Sequence, residues 1–224
     1  AVQFASGLRH DLKKLGLFCR ERGILFCVDA IQAIGAMHFD VVANNIDFAM
    51  ADGHKWMMGP EGLGFLYVRP DLRDSIKLLQ FGWHMTDDPG NYDRLDWAPA
   101  QDARRFECGS PNMLGIQALS ASLDVLLQEG IHKVESAIKK RIAIFEAFFN
   151  ANPDYIIHSP IQTSRQAGII NFSHRHIENK KLFEKLLQQQ VFCALRGDGI
   201  RLSPHFYTPL DKISRAIEII ERAV

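Results

Sequence analysis

The sequence predicts an α/β fold, and three observations predict it. An apolar run, Ile24 to Val28, stops at Asp29, and a second, Phe48 to Ala51, stops at Asp52-Gly53-His54-Lys55. Between them, Ala30 to Asn45 is long enough to be a crossover, so the two strands should run parallel with a right-handed connection. Apolar residues at helical spacing lie on either side of this unit, at Leu12, Leu15 and Cys19 and again at Ile116, Leu119, Leu123 and Leu126.

In chain order, Val2 to Phe4 reads as the end of a strand. A helix follows over about 11–22, closed by Gly23. Ile24 to Val28, apolar throughout, reads as a strand buried on both faces. After Lys55 come Gly59, Pro60, Gly62 and Gly64, a tight loop, and then a strand at Phe65 to Val68. Residues 72–101 are irregular and aromatic, with Trp83, His84, Tyr92 and Trp97; a loop that long is either functional or a tied-down surface excursion. A helix over 115–129 ends at Gly130, where the boundary is placed: residues 1–129 form one domain and 130–224 a smaller α+β domain. In the latter, helix 131–150 carries Val134, Ile138, Ile142, Phe145 and Phe149 on one face. Strands are expected at 155–158, 168–172, 191–195 and 200–202, and a helix at 178–189. The last helix should be capped by Thr208, with Pro209 at its first position and Asp211 near the positive end of its dipole.

Composition narrows the function classes. Of 224 residues, 47% are hydrophobic and 23% charged, and the 26 basic residues cancel the 26 acidic ones, so no net field draws the chain to nucleic acid or an anionic membrane. No apolar run approaches the roughly 20 residues that span a bilayer, and Ala1-Val2-Gln3-Phe4 opens no signal peptide. Cys19, Cys27, Cys108 and Cys193 form no CxxC pair, and Cys27 reads as a reduced core thiol. The expectation is a cytoplasmic protein without disulfides. His174-Arg175-His176 lacks a third ligand, and no metal site is expected.

Lys55 is the residue with chemistry to offer. A lysine at the carboxyl end of a sheet strand stands where open α/β sheets bind ligands, and a desolvated amine can be a nucleophile. Gly53-His54-Lys55 with its glycine-rich turn, Val28-Asp29-Ala30-Ile31-Gln32, Arg105-Phe106-Glu107-Cys108-Gly109-Ser110-Pro111-Asn112 and Arg201 follow one another in an order that resembles the class V aminotransferase group of pyridoxal-phosphate (PLP) enzymes. That group includes cysteine desulfurases, selenocysteine lyases, isopenicillin-N epimerase and kynureninase, and the likeness covers essentially the whole chain.

The resemblance implies an aspartate-aminotransferase-like fold, with residues 1–129 as part of a mostly parallel large domain. It implies PLP as cofactor, with Lys55 as its Schiff-base lysine and α-proton carrier. Asp29 would face the pyridine nitrogen, Gln32 the ring hydroxyl and His54 the phosphate. Ser110 would reach the phosphate held by a neighbouring subunit, implying a homodimer with shared sites; otherwise it caps a helix. Arg201 would hold the substrate α-carboxylate, with Arg196 a second candidate. Asp52 stands where desulfurases carry serine, and no phosphate contact is assigned to it. Members of the group carry a further large-domain portion ahead of Ala1.

The residues leave the reaction open. Desulfurases place a nucleophilic cysteine five residues after the arginine that Arg196 resembles; here that position is Arg201. Cys193 precedes Arg196 and reads as a core thiol. Transamination, lyase or epimerase chemistry at the α-carbon of an amino acid is the leading expectation. A cysteine desulfurase or selenocysteine lyase is the alternative, and an inactive or dimer-forming remnant the alternative of another class.

Overall fold

A computed structural model describes residues 1–224, the side chain of Thr163 apart. Contacts divide the chain into two compact units. The N-terminal unit comprises Leu12–Ala30 and Asp40–Leu123; the C-terminal unit comprises Ala1–Asp11, Ile31–Phe39 and Asp124–Val224. One of these limits falls near the expected cut after residue 129, but Ala1–Asp11 and Ile31–Phe39 cluster with the C-terminal part of the chain.

The N-terminal unit holds helix α1 (Leu12–Glu21) and a three-stranded sheet in the order β1 (Cys27–Asp29), β2 (Phe48–Asp52), β3 (Gly64–Val68). β1 and β2 are parallel, as expected, with Asp29 beside Met50. β3 returns antiparallel to β2, so this part of the sheet is mixed rather than mostly parallel. The reason is local: the Gly/Pro loop is a hairpin connection and cannot make a parallel crossover. Asp47 ties the three strands together. Its carboxylate accepts the Phe26 N–H at 2.7 Å and pairs with Arg69 beyond β3 at 3.1 Å. Residues between β1 and β2 form turns instead of a crossover helix.

β1 corrects two expectations. The strand begins only at Cys27, and Ile24, Leu25 and Cys27 are exposed while Val28 is buried. With β2 as its single neighbour, β1 is an edge strand here, and one of its faces is open. Cys27 is therefore not a core thiol; all four cysteines are free.

Helix α2 (Met113–Glu129) starts in the N-terminal unit. Beyond Gly130, α3 (Ile131–Ala151) buries Val134, Ile138, Ile142, Phe145 and Phe149, the five positions its periodicity marked. Behind it stands an antiparallel sheet ordered β4 (Tyr155–Ile157), β5 (Ile170–His174), β7 (Gly199–Leu202), β6 (Ala194–Arg196). Phe149 stacks on Phe172 of β5 with ring centroids 4.2 Å apart. α4 (Asn179–Gln188) and α5 (Leu210–Ala223) complete this α+β layer. Thr208 does not cap α5; its Oγ accepts the His205 N–H at 3.1 Å, and Pro209 takes the cap position. The N-terminal loop is pinned to the same sheet by Asn171, which donates to the carbonyls of Ala5 at 3.1 Å and Arg196 at 2.7 Å. No helix among the described residues is long and apolar enough to cross a membrane.

Candidate active site

The lysine loop is built by its backbone. Asp52 is the last residue of β2 and pairs with Gly64. The Gly53 N–H donates to the Leu63 carbonyl at 2.7 Å, Gly59 to Gly53 at 2.9 Å, and Met58, left-handed at φ 60°, to Lys55 at 3.0 Å. Trp56 and Met57 are buried under the loop. A Cβ on Gly59 would stand 2.6 Å from Leu119 of α2, and one on Gly53 3.1 Å from the same side chain. Ser122 of α2 donates to the Met58 carbonyl at 3.0 Å. A side chain at either position would press on Leu119, because the loop lies directly on the helix. Lys55 thus sits, half-buried, on a closed, clamped turn, and among the described residues its ammonium makes no ion pair or hydrogen bond.

Around it, Asp52 Oδ1 lies 2.8 Å from Nδ1 of His54 and 3.4 Å from the His54 backbone nitrogen. The close contact with the His54 side chain holds the Asp52 carboxyl below the usual carboxylate range, outweighing the upward push of desolvation. Asp29 closes β1 at the same end of the sheet, exposed, and the Ala30 N–H following it donates to Met50 of β2 at 2.8 Å. Ser110 is exposed ahead of α2 and is not its cap: Asn112 Oδ1 accepts the Gly115 N–H at 3.0 Å. Arg105, in the same motif, is buried and paired with Asp74.

The remaining candidates belong to the C-terminal unit. Gln32 is buried. Arg201 on β7 donates from Nη1 to the Phe4 carbonyl at 2.9 Å, and its Nε is buried without a partner. Burial, then repulsion from the Arg196 guanidinium, pulls Arg201 below its ordinary value. Arg196, on neighbouring β6, donates to the Leu195 carbonyl at 2.8 Å, and neither arginine forms an ion pair among the described residues. Two uncompensated guanidiniums side by side, one with an orphaned N–H, suit a carboxylate.

Within the N-terminal unit the structure therefore brings Asp52, His54 and Lys55 together on one corner, with Asp29 at the same end of the sheet. Gln32, Arg196 and Arg201 lie in the other unit. Sequence reasoning missed the engagement of Asp52 with His54, although an acid two residues before a histidine at a strand end was the available signal. Cys193 precedes β6, half-buried, and burial pushes its thiol up to about 11, far from a ready thiolate. A cavity of about 850 Å³ near Phe192, Tyr207 and Lys212 contains none of the candidate residues. One of about 350 Å³ in the aromatic loop is walled by Phe81, Trp83, Tyr92 and Trp97. His176 contacts Asp154 at 3.2 Å, but no group of three His, Cys, Asp or Glu among the described residues is arranged to hold a metal.

The family model for aminotransferase class V matches residues 1–208. The chain belongs to that family. An uncharacterized aminotransferase, YcbU of Bacillus subtilis, is 30% identical over 220 residues, covering 98% of this chain and 57% of the relative. The apo structure of a cysteine desulfurase from Thermococcus onnurineus superposes on all of the chain and 58% of its own, with a TM-score of 0.89 at 24% identity. The cystine C-S lyase C-DES, solved as its K223A variant with glycine covalently linked to PLP, covers 98% of this chain at a TM-score of 0.87 and 22% identity. These likenesses establish the aminotransferase-like α/β fold. The chain spans less than three-fifths of the length of each of these proteins.

Proposed function

We propose that this chain carries the lysine and the carboxylate-binding arginine of a PLP enzyme acting at the α-carbon of an amino acid. The observation that carries the reading is Lys55, an amine without a counter-ion on a glycine-clamped corner of a class V chain. The other donors suit the cofactor: a carboxylate at the end of the adjacent strand, a histidine before the lysine and a serine ahead of α2. Bound there, PLP supplies the electron sink that weakens bonds at the substrate α-carbon. Asp29 would keep the ring nitrogen protonated, Gln32 would orient the ring hydroxyl, and His54 and Ser110 would donate to phosphate. Lys55 would move the α-proton, a general acid–base step worth roughly 10²–10⁴-fold. Arg201, assisted by Arg196, would fix the substrate carboxylate. The aromatic cavity is the candidate reader of the substrate side chain.

The same reading makes residues 1–129 part of the cofactor-binding large domain and 130–224 the small one, in a cytoplasmic homodimer that shares its sites through Ser110. Incubation with PLP should give an absorbance band at the edge of the visible that borohydride removes and Lys55→Ala lacks. No band in the unsubstituted chain would sink the reading and leave the inactive-remnant alternative. A second reading, cysteine desulfurase or selenocysteine lyase, is favoured by the desulfurase fold neighbour; Cys193, with its raised thiol, argues against a persulfide on that residue. Sulfide release from cysteine that survives Cys193→Ser would select lyase chemistry.

A further inference from the structure

We propose that Asp52 is a positioning residue for the cofactor phosphate: it holds a proton on Nδ1 of His54, so that Nε2 is presented to the phosphate as a second N–H donor. This rests on the assignment of His54 to the phosphate. Its geometric basis is the 2.8 Å separation between Asp52 Oδ1 and His54 Nδ1. Nδ1 is buried, and the bond is too bent to count as an aligned hydrogen bond, so the contact acts chiefly through charge. The carboxylate is fixed in turn, because Asp52 ends β2 in register with Gly64 and its Oδ1 also faces the His54 backbone N–H at 3.4 Å.

A carboxylate near a phosphate has two effects of opposite sign. Direct repulsion weakens binding; fixing the ring so that Nε2 faces the phosphate strengthens it. The carboxylate touches the ring on its Nδ1 side, so a phosphate met through Nε2 is farther from Asp52 by the width of the imidazole. Coulomb energy falls with distance and with the solvent between, and Asp52 is itself more than a third exposed. The short contact wins over the long one. A serine at this position could donate one hydrogen bond to the phosphate, which an ionised aspartate cannot. In this chain the histidine replaces that donor, and the aspartate fixes its ring.

The two effects give opposite predictions for Asp52→Asn. In the chain without PLP, long-range ¹H–¹⁵N spectra should show a proton on Nδ1 of His54 that Asp52→Asn removes and Asp52→Glu largely restores. Asp52→Asn should then weaken PLP binding by about tenfold or more, the size of one charge-assisted hydrogen bond, and leave binding of pyridoxal, which lacks the phosphate, within about twofold. Unchanged ring signals, PLP binding as tight as before or tighter, or an equal loss for pyridoxal would each overturn the proposal. A chain that takes up no PLP at all sinks the cofactor assignment instead, while the ring signals, read without PLP, decide the Asp52–His54 contact on their own.

Discussion

Lys55 and Arg201 are both cations without a counter-ion among the described residues, and each reaches that state by a different route. Lys55 is held by backbone closure of its loop, Arg201 by one hydrogen bond to Phe4 that leaves Nε buried and unused. If the free N–H faces a substrate carboxylate, the planar fork matters as much as the charge. Arg201→Lys should raise KM for the amino acid by roughly tenfold to a hundredfold, the loss of a charge-assisted hydrogen bond, and leave kcat nearly unchanged. A proportional fall in kcat with constant KM would show that Arg201 acts on the transition state. At this scale the family was legible in the sequence because several motifs stand in order around Lys55, Asp29 and Arg201. Asp52 was not legible, because its meaning depends on which of its neighbours the side chain touches.

The elements divide along the same line. α3 could be read to the residue, because a helix packed on one side writes its buried face into the spacing of Val134, Ile138, Ile142, Phe145 and Phe149. β1 could not, because an apolar run records what a strand can bury and not whether a neighbour lies beside it; Ile24 and Leu25 are exposed. The Thr208 cap failed because a hydroxyl has more than one backbone N–H within reach, and that of His205 takes it. Gly59→Ala drives a methyl into Leu119 and should cost about 1–3 kcal/mol in urea unfolding; combined with Leu119→Ala, which empties that space, the double variant should cost less than the sum of the two single variants. Glu135 of α3 is penalised by burial, yet the Lys139 ammonium at 2.7 Å, the His38 N–H at 3.1 Å and Arg9 at 3.3 Å more than offset this and hold its carboxyl below the ordinary 4.5. A depressed folded-state value means the contribution is complete above the ordinary value and disappears as pH falls through the lowered one. The urea midpoint should therefore decline more steeply below about pH 4.5 in the native chain than in Glu135→Gln, and parallel acid limbs would show that the cluster adds nothing.

Across the whole molecule, charge and apolar surface act together on association. The formal net charge is zero at pH 7, with a sequence pI of about 7.3, so no long-range repulsion keeps copies apart near neutrality. At the same time Phe18 on α1, Ile24 and Leu25 ahead of β1, and Met113 and Leu114 on α2 stand exposed. Exposed apolar groups in such numbers favour contact with another surface once charge repulsion is removed. Light scattering should then show association strongest near pH 7.3, falling on both sides as like charge accumulates. Added salt should deepen it away from that pH by screening the repulsion and change it little at the pI. Ile24→Lys with Leu25→Glu keeps the net charge and interrupts the apolar stretch beside β1; if association survives that pair unchanged, the contact lies elsewhere, and α2, through Leu114, is the surface to substitute next.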